Sequence, residues 1–582
     1  MHDDIIFLHP PSIFDFRERP ILWGPMNDLV PSKSVFEMYP IGFVSLASAL
    51  EENGYDVRIV NIALKMLRSS SFSPENYLKK LDANVFAIDL HWLPHVHGAI
   101  ELSRLCKRVH PEVPVILGGL SASYYHEEIL RELDSVDFVL RGDSVERPLV
   151  KLMDSITSEA GYEEVPNLSY KLGDKVVVNE LSAVPRNIDS FSLDYDLVYR
   201  NVLKYKNLDI LPFYEFLTRP IMAVLTRKGC DNNCAGCGGS NFSYSTICNR
   251  NGVGLRSPER VVEDILKVQE YRTPAFIIGD LGSPAEEYGR EILSLLANED
   301  VNIPIIFEFF YPPSPDFLTE MGNSVDEFSI EMSPESGVEE IRMETGREYS
   351  NAELERAIDG AFSAGSSQFD LYFMIGLRDQ DRESVQATVD YASSLLDRFP
   401  DGKLIPFISP YSPFLDPGSL GFEHPDLYGY EKYAQTLMDH YELLDQGVTW
   451  KDFLSYRTNR LSKSDIVDLS YSAAIQFAEM KNNVGIITDR VLRDIEDKID
   501  TSRKMIALAD KRARGGTEQI KTSLQELDER LTIDRGELDW ADAFSPKRFT
   551  AILSKGLKIY GETIKGSRVY SRITSLFHLI SQ

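Results

Sequence analysis

The chain predicts an α/β protein built around two separate parallel sheets and followed by a mostly helical region. Three observations carry this. Short apolar runs alternate with helical stretches twice over, first within residues 1–152 and again within 217–413. Three of the five cysteines, Cys230, Cys234 and Cys237, fall within eight residues, directly behind the apolar run that opens the second alternation. Beyond Pro413 the alternation stops and the pattern turns helical through residues 414–582.

Composition sets the bounds. At 582 residues, two or three domains are expected. A hydrophobic content of 43% is that of an ordinary globular protein. The formal charge of −29 argues against nucleic acid as a partner. Five cysteines, an odd number with three clustered, do not make a disulfide framework and fit a reducing, cytoplasmic setting. Met1-His2-Asp3-Asp4 has no basic region of a secretory signal. No run of about 20 apolar residues predicts a spanning helix.

The first alternation begins with a strand from Ile5 to Leu8 and a loop rich in proline (Pro10, Pro11, Pro20, Pro25, Pro31). Pro40-Ile41-Gly42 opens a helix that Gly54 stops. Strands follow from Val57 to Ile62, Val85 to Leu90, Val113 to Leu117 and Val136 to Leu140, with helices from Gly98 to Val109 and Tyr125 to Leu133. This is a doubly wound, Rossmann-like pattern, whose ligands sit beyond the carboxyl ends of the strands. Residues 153–216 read as a connector carrying a β-hairpin that turns at Gly173-Asp174, with no chemistry assigned.

The second alternation gives six strands: Ile221 to Leu225, Ala275 to Ile278, Ile303 to Phe309 with Glu308, Glu327 to Met332, Phe369 to Ile375 and Lys403 to Ser409. Ser257-Pro258-Glu259 reads as a capped helix start. Six β/α units make a partial (β/α)6 barrel, with the reaction site at the carboxyl ends of its strands. Pro410 to Pro425, rich in proline and glycine, is expected to drape over the barrel mouth.

The loop Gly229-Cys230-Asp231-Asn232-Asn233-Cys234-Ala235-Gly236-Cys237-Gly238-Gly239 carries the chemistry. Three closely spaced thiolates can hold three irons of a cubane cluster and leave the fourth open, as a catalytic site requires. Glycines at 236, 238 and 239 are expected to let the backbone approach the cluster. A four-cysteine zinc site that includes Cys248 is the bland alternative.

The C-x3-C-x2-C spacing behind a strand resembles the radical S-adenosylmethionine (SAM) superfamily. That resemblance implies a [4Fe–4S] cluster on Cys230, Cys234 and Cys237. Its open iron binds the amino and carboxylate groups of SAM, and reductive cleavage yields a 5′-deoxyadenosyl radical. It further implies an electron donor such as ferredoxin or flavodoxin. One residue departs from the family pattern: the position before the third cysteine is usually aromatic and shields the cluster, and here it is Gly236. Carried onto the strand ends, the resemblance puts Gly279 and Asp280 at the methionyl amino group. Glu335 and Ser336 fall at the ribose or carboxylate, and Gly376 at the adenine.

A second resemblance covers the first 150 residues. Pro40-Ile41-Gly42, a helix ending Glu52-Asn53-Gly54-Tyr55, then Gly118-Gly119 and Arg141-Gly142-Asp143-Ser144-Val145-Glu146 look like the cobalamin-binding domain that precedes many radical SAM domains. Gly118 and Gly119 would then face the macrocycle. The D-x-H-x-x-G motif that gives cobalt a histidine is absent, since His9-Pro10-Pro11 follows the first strand. The expected lower ligand is therefore not a histidine, although Asp89, His91, His95 and His97 crowd the end of the third strand. A generic nucleotide-type fold is the alternative.

The last 36 residues, Lys547 to Gln582, hold seven Lys/Arg against one acid and an apolar stripe at helical spacing. This reads either as peripheral contact with an anionic membrane or as a helix docked on the acidic body. Together these features predict a cobalamin-dependent radical SAM enzyme, methylating an unactivated carbon of a small or lipid-like substrate. The runner-up is C–C coupling or cyclisation on a lipid chain, with a structural N-terminal domain. A cobalamin or redox sensor is the non-enzyme alternative.

Overall fold

The computed structural model describes residues 2–19, 21–22, 36–282, 286–411, 414–511, 554–555 and 558–559. Five parallel strands begin the N-terminal sheet: β1 (His2–His9), β2 (Val57–Asn61), β3 (Asp82–Asp89), β4 (Val115–Gly118) and β5 (Phe138–Leu140). β1 lies between β2 and β3, with Ile5 facing Val57 on one side and Val85 on the other. The order is β2-β1-β3-β4-β5, so the winding reverses between β1 and β3. That reversal opens a crevice at the carboxyl ends of these two strands. Ile5, Ile6, Phe7 and Leu8 are all buried because helices cover both faces, which explains why the strand reads as one unbroken apolar run.

The hairpin expected in the connector instead belongs to this sheet. β6 (Leu168–Leu172) pairs antiparallel with β5, Phe138 against Tyr170, and β7 (Lys175–Val178) pairs with β6. The sheet therefore continues beyond residue 152 to Val178. The physical reason is the edge. β5 is three residues long, and without the hairpin its outer N–H and C=O groups would stand unpaired. The remaining connector forms a helix, Tyr195–Tyr205, which packs on the Gly42–Glu52 helix and on β2.

The second sheet contains β8 (Met222–Leu225) and, past the two-residue ladder of β9 (Arg227–Lys228) with β10 (Gly254–Leu255), the strands β11 (Ala275–Ile278), β12 (Ile305–Phe309), β13 (Phe328–Glu335), β14 (Gln368–Ile375) and β15 (Leu404–Pro410). Its order is β15-β14-β13-β12-β11-β8, parallel throughout, as a partial barrel demands. Ser257 does stand at the N-cap of the Pro258–Gln269 helix, but its hydroxyl makes no cap bond. Its backbone N–H donates to Asp189 Oδ1 at 2.7 Å, so the serine ties this helix to the connector instead.

The C-terminal region is not wholly helical. β16 (Tyr430–Lys432) and β17 (Tyr456–Thr458) form a small antiparallel pair. The Lys463–Asn483 helix lies along β15 and covers the open edge of the barrel sheet. The Leu437–Gln446 helix lies against Val96–Val109 of the first domain, and its first N–H groups, of Leu437 and Met438, donate to Glu128 at 3.0 and 3.1 Å. This region thus braces both sheets. The predicted helix from Glu518 to Arg530 and nearly all of the basic stretch from Lys547 lie outside the described residues. No described helix is long and apolar enough to cross a membrane.

Candidate active site between the two sheets

Both sheets turn their carboxyl ends toward one cavity of about 600 Å³. The first contributes Gly118, Gly119, His91 and the loop after β5. The second contributes Cys230, Cys234, Cys237, Gly279, Glu308 and Arg347. The connector, to which the sequence assigned no chemistry, supplies Phe191, Tyr195, Phe213 and Phe216 to the wall.

The cysteine loop leaves β8 and is pinched at its base, where Arg227 pairs with Leu255 and Lys228 with Gly254. Its far side starts the Asn241–Cys248 helix, whose N-cap Ser240 accepts from the Ser243 N–H at 3.2 Å. The Asn232 N–H points at Cys230 Sγ (3.4 Å) and the Gly239 N–H at Cys237 Sγ (3.3 Å). Such N–H groups tune a bound cluster. Burial pushes all three thiols up, Cys234 to about 11, so binding metal means displacing protons. Asn232 Nδ2, buried beside the cavity, has no hydrogen-bond partner, an orphan donor suited to a bound group.

The loop glycines do a different job from the one expected. A Cβ at Gly236 would stand 2.6 Å from Cε1 of Tyr411, and one at Gly238 would stand 2.9 Å from Cβ of Asp416. Asp416 Oδ2 accepts the Gly238 N–H at 2.9 Å. The segment after β15 therefore lies directly on the loop, and these glycines make room for it rather than for a cluster. Among the three, Gly239 alone has a thiol as nearest neighbour, Cys237 Sγ at 3.6 Å from its Cβ position. Tyr411 places an aromatic ring where the family pattern carries one on the loop itself.

Cys248 does not line the cavity that Cys230, Cys234 and Cys237 share. It is buried at the end of its helix, and the charges around it are Asp143, Arg250 and Lys228. Among the described residues no three His, Cys, Asp or Glu side chains converge as a single metal ion would require. Cys230, Cys234 and Cys237 all line the cavity, and three thiols are one short of a closed structural zinc site, as a cubane with an open iron would have them.

At the other end of the cavity Gly118 and Gly119 differ. Gly119 has φ +110°, and a Cβ there would sit 2.5 Å from His91 Cα and 2.6 Å from His91 N. It is glycine because the chain turns there against its own backbone. Gly118 is the open position, with nothing nearer its Cβ site than Leu140 O at 3.9 Å. The crowded histidines are mostly occupied. His9 is held between Asp89 (2.8 Å) and the Phe36 carbonyl (3.0 Å). His95 also meets that carbonyl at 2.8 Å, and burial lowers its pKa to about 4. His97 Nδ1 accepts from the Phe14 N–H at 3.1 Å. His91 is the histidine that lines the cavity, and burial lowers its pKa.

Of the five residues proposed for SAM, the structure brings one to the cavity, Gly279. The Asp280 carboxylate is buried and taken up by the N–H groups of Gly282 (2.7 Å) and Phe310 (2.8 Å). Ser336 is buried and accepts from the Val338 N–H at 3.1 Å. A Cβ at Gly376 would lie 2.7 Å from Tyr456 Oη, so that space is filled by protein. Glu335 lies behind the wall and accepts from Arg347 Nε at 3.3 Å.

Three residues with suitable chemistry escaped the sequence reading of roles. Arg227 and Arg347 bring cations to the cluster end, and Glu308 brings a carboxyl. Burial raises Glu308 to about 7, partly opposed by the Gly279 N–H that it accepts at 3.3 Å. A lone carboxylate inside Ile305-Ile306-Phe307-Glu308-Phe309 was the available signal, because an acid in an apolar strand needs a reason.

The comparisons agree with this geometry. Residues 28–148 match the family model of the B12 binding domain, and residues 224–392 match that of the radical SAM superfamily. The chain joins a B12-binding domain to a radical SAM domain. It is 26% identical over 282 residues to the hopanoid C-3 methylase of Methylococcus capsulatus, covering 47% of this chain and 48% of that protein. It is also 26% identical over 371 residues to an uncharacterized methyltransferase of Pyrococcus horikoshii, covering 61% of this chain and 73% of the relative. The match thus spans about half the length of the hopanoid enzyme. In fold, the chain is similar to TsrM, a radical SAM methyltransferase from Kitasatospora setae (TM-score 0.54, 13% identity, 74% of this chain and 78% of that one). It is similar also to OxsB, a cobalamin-dependent SAM radical enzyme (TM-score 0.50, 13% identity, 100% of this chain and 84% of that one).

Proposed function

We propose that this protein is a cobalamin-dependent radical SAM methyltransferase acting on an unactivated carbon of an apolar small molecule. The observation that carries it is the shared cavity: a glycine-edged sheet end and a three-cysteine loop face the same space, walled by connector phenylalanines. When bound, the cluster would supply the electron that cleaves SAM, and cobalamin the methyl group to be transferred.

The chain's own residues divide the remaining work. Cys230, Cys234 and Cys237 hold the cluster. Arg347, anchored by Glu335, offers a cation for the SAM carboxylate, and Glu308 with Gly279 faces the methionyl ammonium. This reading gives Glu308 the role expected of Asp280, whose carboxylate is already bonded to the backbone. Gly118 leaves the sheet end flat for a corrin ring. The aromatic wall excludes water from a reactive carbon. The apolar lining and the relation to a hopanoid methylase both favour a lipid-like substrate, and a small redox protein such as ferredoxin or flavodoxin would deliver electrons.

The test is anaerobic reconstitution with iron, sulfide and cobalamin, then dithionite and methyl-deuterated SAM with a lipid extract of the producing organism. Methylation predicts 5′-deoxyadenosine, S-adenosylhomocysteine and a lipid gaining three deuterons. Deoxyadenosine without S-adenosylhomocysteine, alongside a coupled or cyclised lipid, would overturn the methyl-transfer reading.

A further inference from the structure

The loop after β5, Gly142-Asp143-Ser144-Val145-Glu146, has the look of an acidic element facing a ligand. Its two carboxylates instead reach across to the radical SAM domain. Asp143 takes Arg250 in a two-pronged bond, Nε to Oδ2 at 2.5 Å and Nη2 to Oδ1 at 3.2 Å. Arg250 also donates to Ser144 Oγ (3.2 Å) and to the Pro185 carbonyl (2.9 Å). Glu146 takes Lys228 at 3.1 Å.

Position gives these pairs their meaning. Lys228 and Arg250 bracket the cysteine loop, one just before Gly229 and one just after Asn249. The stem of Arg250 lies on Gly229, where a Cβ would be 2.6 Å from Arg250 Cδ, and Gly229 directly precedes Cys230. Both ends of the loop are thus tied to one short segment of the B12-binding domain, and that segment lines the same cavity. The Arg250 and Asp143 side chains are 3% and 6% exposed. A buried ion pair adds little net stability over an apolar contact, but it specifies one arrangement, and a forked arginine bond fixes orientation as well as distance.

We propose that Arg250 and Asp143, seconded by Lys228 and Glu146, form a positioning device that sets the cysteine loop against the rim of the B12-binding domain and so fixes the spacing between the two cofactors. The inference rests on the two-cofactor reading above. The experiment uses full-length protein carrying the reduced [4Fe–4S] cluster and cob(II)alamin, both paramagnetic, and measures their separation by pulsed dipolar EPR. Wild type should give one narrow distance distribution. In Asp143→Asn, isosteric and uncharged, that distribution should roughly double in width while iron content stays at the wild-type level. Cofactor-free protein gives an independent arm: alkylation of Cys230 should rise about tenfold in Asp143→Asn, with Cys106 unchanged. Should that variant fail to fold, Glu146→Gln should show the same two effects in smaller measure. Wild-type distance and wild-type Cys230 reactivity in the folded variants would overturn the proposal. A wild type that binds no cobalamin would sink the two-cofactor reading instead, and the alkylation arm would still decide whether the pair holds the loop.

Discussion

The two sheets meet one cavity with opposite chemistry. At the end of the N-terminal sheet the backbone is bare at Gly118, and the carboxylates of Asp143 and Glu146 are taken up by Arg250 and Lys228. At the end of the barrel, Arg227, Arg347 and Glu308 bring charge to the cysteine loop. A large ring held by shape needs flat backbone and few charges, while a small zwitterion such as SAM needs several convergent polar groups. The difference teaches that one fold type, the parallel sheet with its crevice, is tuned to two ligands by what the strand ends and the loops behind them carry.

Deleting the barrel's chemistry should give the largest effect. Any of Cys230→Ala, Cys234→Ala or Cys237→Ala should abolish the reconstituted cluster by iron and sulfide analysis. Cys248→Ala and Cys106→Ala should retain it. Loss of iron in Cys248→Ala would break the contrast, since that thiol sits among Asp143, Arg250 and Lys228.

Next comes the bare sheet end. Gly118→Leu should fold, keep its cluster and lose cobalamin binding in an absorbance titration. Gly119→Leu should fail to fold, because a positive φ costs an ordinary residue about 1–2 kcal/mol and its side chain would meet the His91 backbone. Cobalamin binding by Gly118→Leu at wild-type affinity would refute the flat-face argument. His91→Ala should leave the Co(II) EPR spectrum unchanged; nitrogen splitting that vanishes in this variant would show a histidine on cobalt.

SAM affinity probes the charged end more gently. Arg347→Met should weaken SAM binding about 10- to 100-fold by calorimetry, with part of the loss due to leaving Glu335 unpaired. Glu308 titrates near 7, neutral below and negative above. If it meets the ammonium, SAM binding tightens as pH rises from 6 to 8, and Glu308→Gln should flatten that profile. An unchanged slope in Glu308→Gln would remove it from the site.

The smallest effect concerns the barrel interior, where Glu308, Glu331 and Asp370 face one another across β12, β13 and β14. Burial raises Asp370 to about 7 and Glu331 well above its ordinary value. Native carboxyls with raised pKa hold protons that the unfolded chain releases, so stability falls as pH rises from about 4 towards 7. Glu331→Gln should therefore add about 1 kcal/mol at pH 8 and make the pH dependence shallower in urea unfolding. Equal stabilisation at pH 4 would exclude ionisation as the cause.

Much of this was legible in the chain itself. Strand positions follow from apolar runs of four to eight residues, and every predicted strand of both sheets is present, β11 at the predicted residues Ala275–Ile278. The hairpin was visible from its turn, but its attachment to β5 was not, because edge pairing depends on which strand is left uncovered. The three loop thiols were legible because they are close in sequence: local spacing alone holds them on one loop.

Site residues that act across distance were hidden. Asp280 and Ser336 look like ligands by their place after strands, yet folding brings Phe310 and Val338 amides to them first. Gly236 reads as a departure from the family pattern until Tyr411, 175 positions later, is seen lying on it. The sequence by itself determined the two parallel sheets, their order of appearance and the three thiols, since apolar periodicity and short spacing are local properties. Only the tertiary structure decided which carboxylates stay free for a ligand and which are spent on the backbone or on arginine, because a buried charge takes the partner that folding places within about 3 Å.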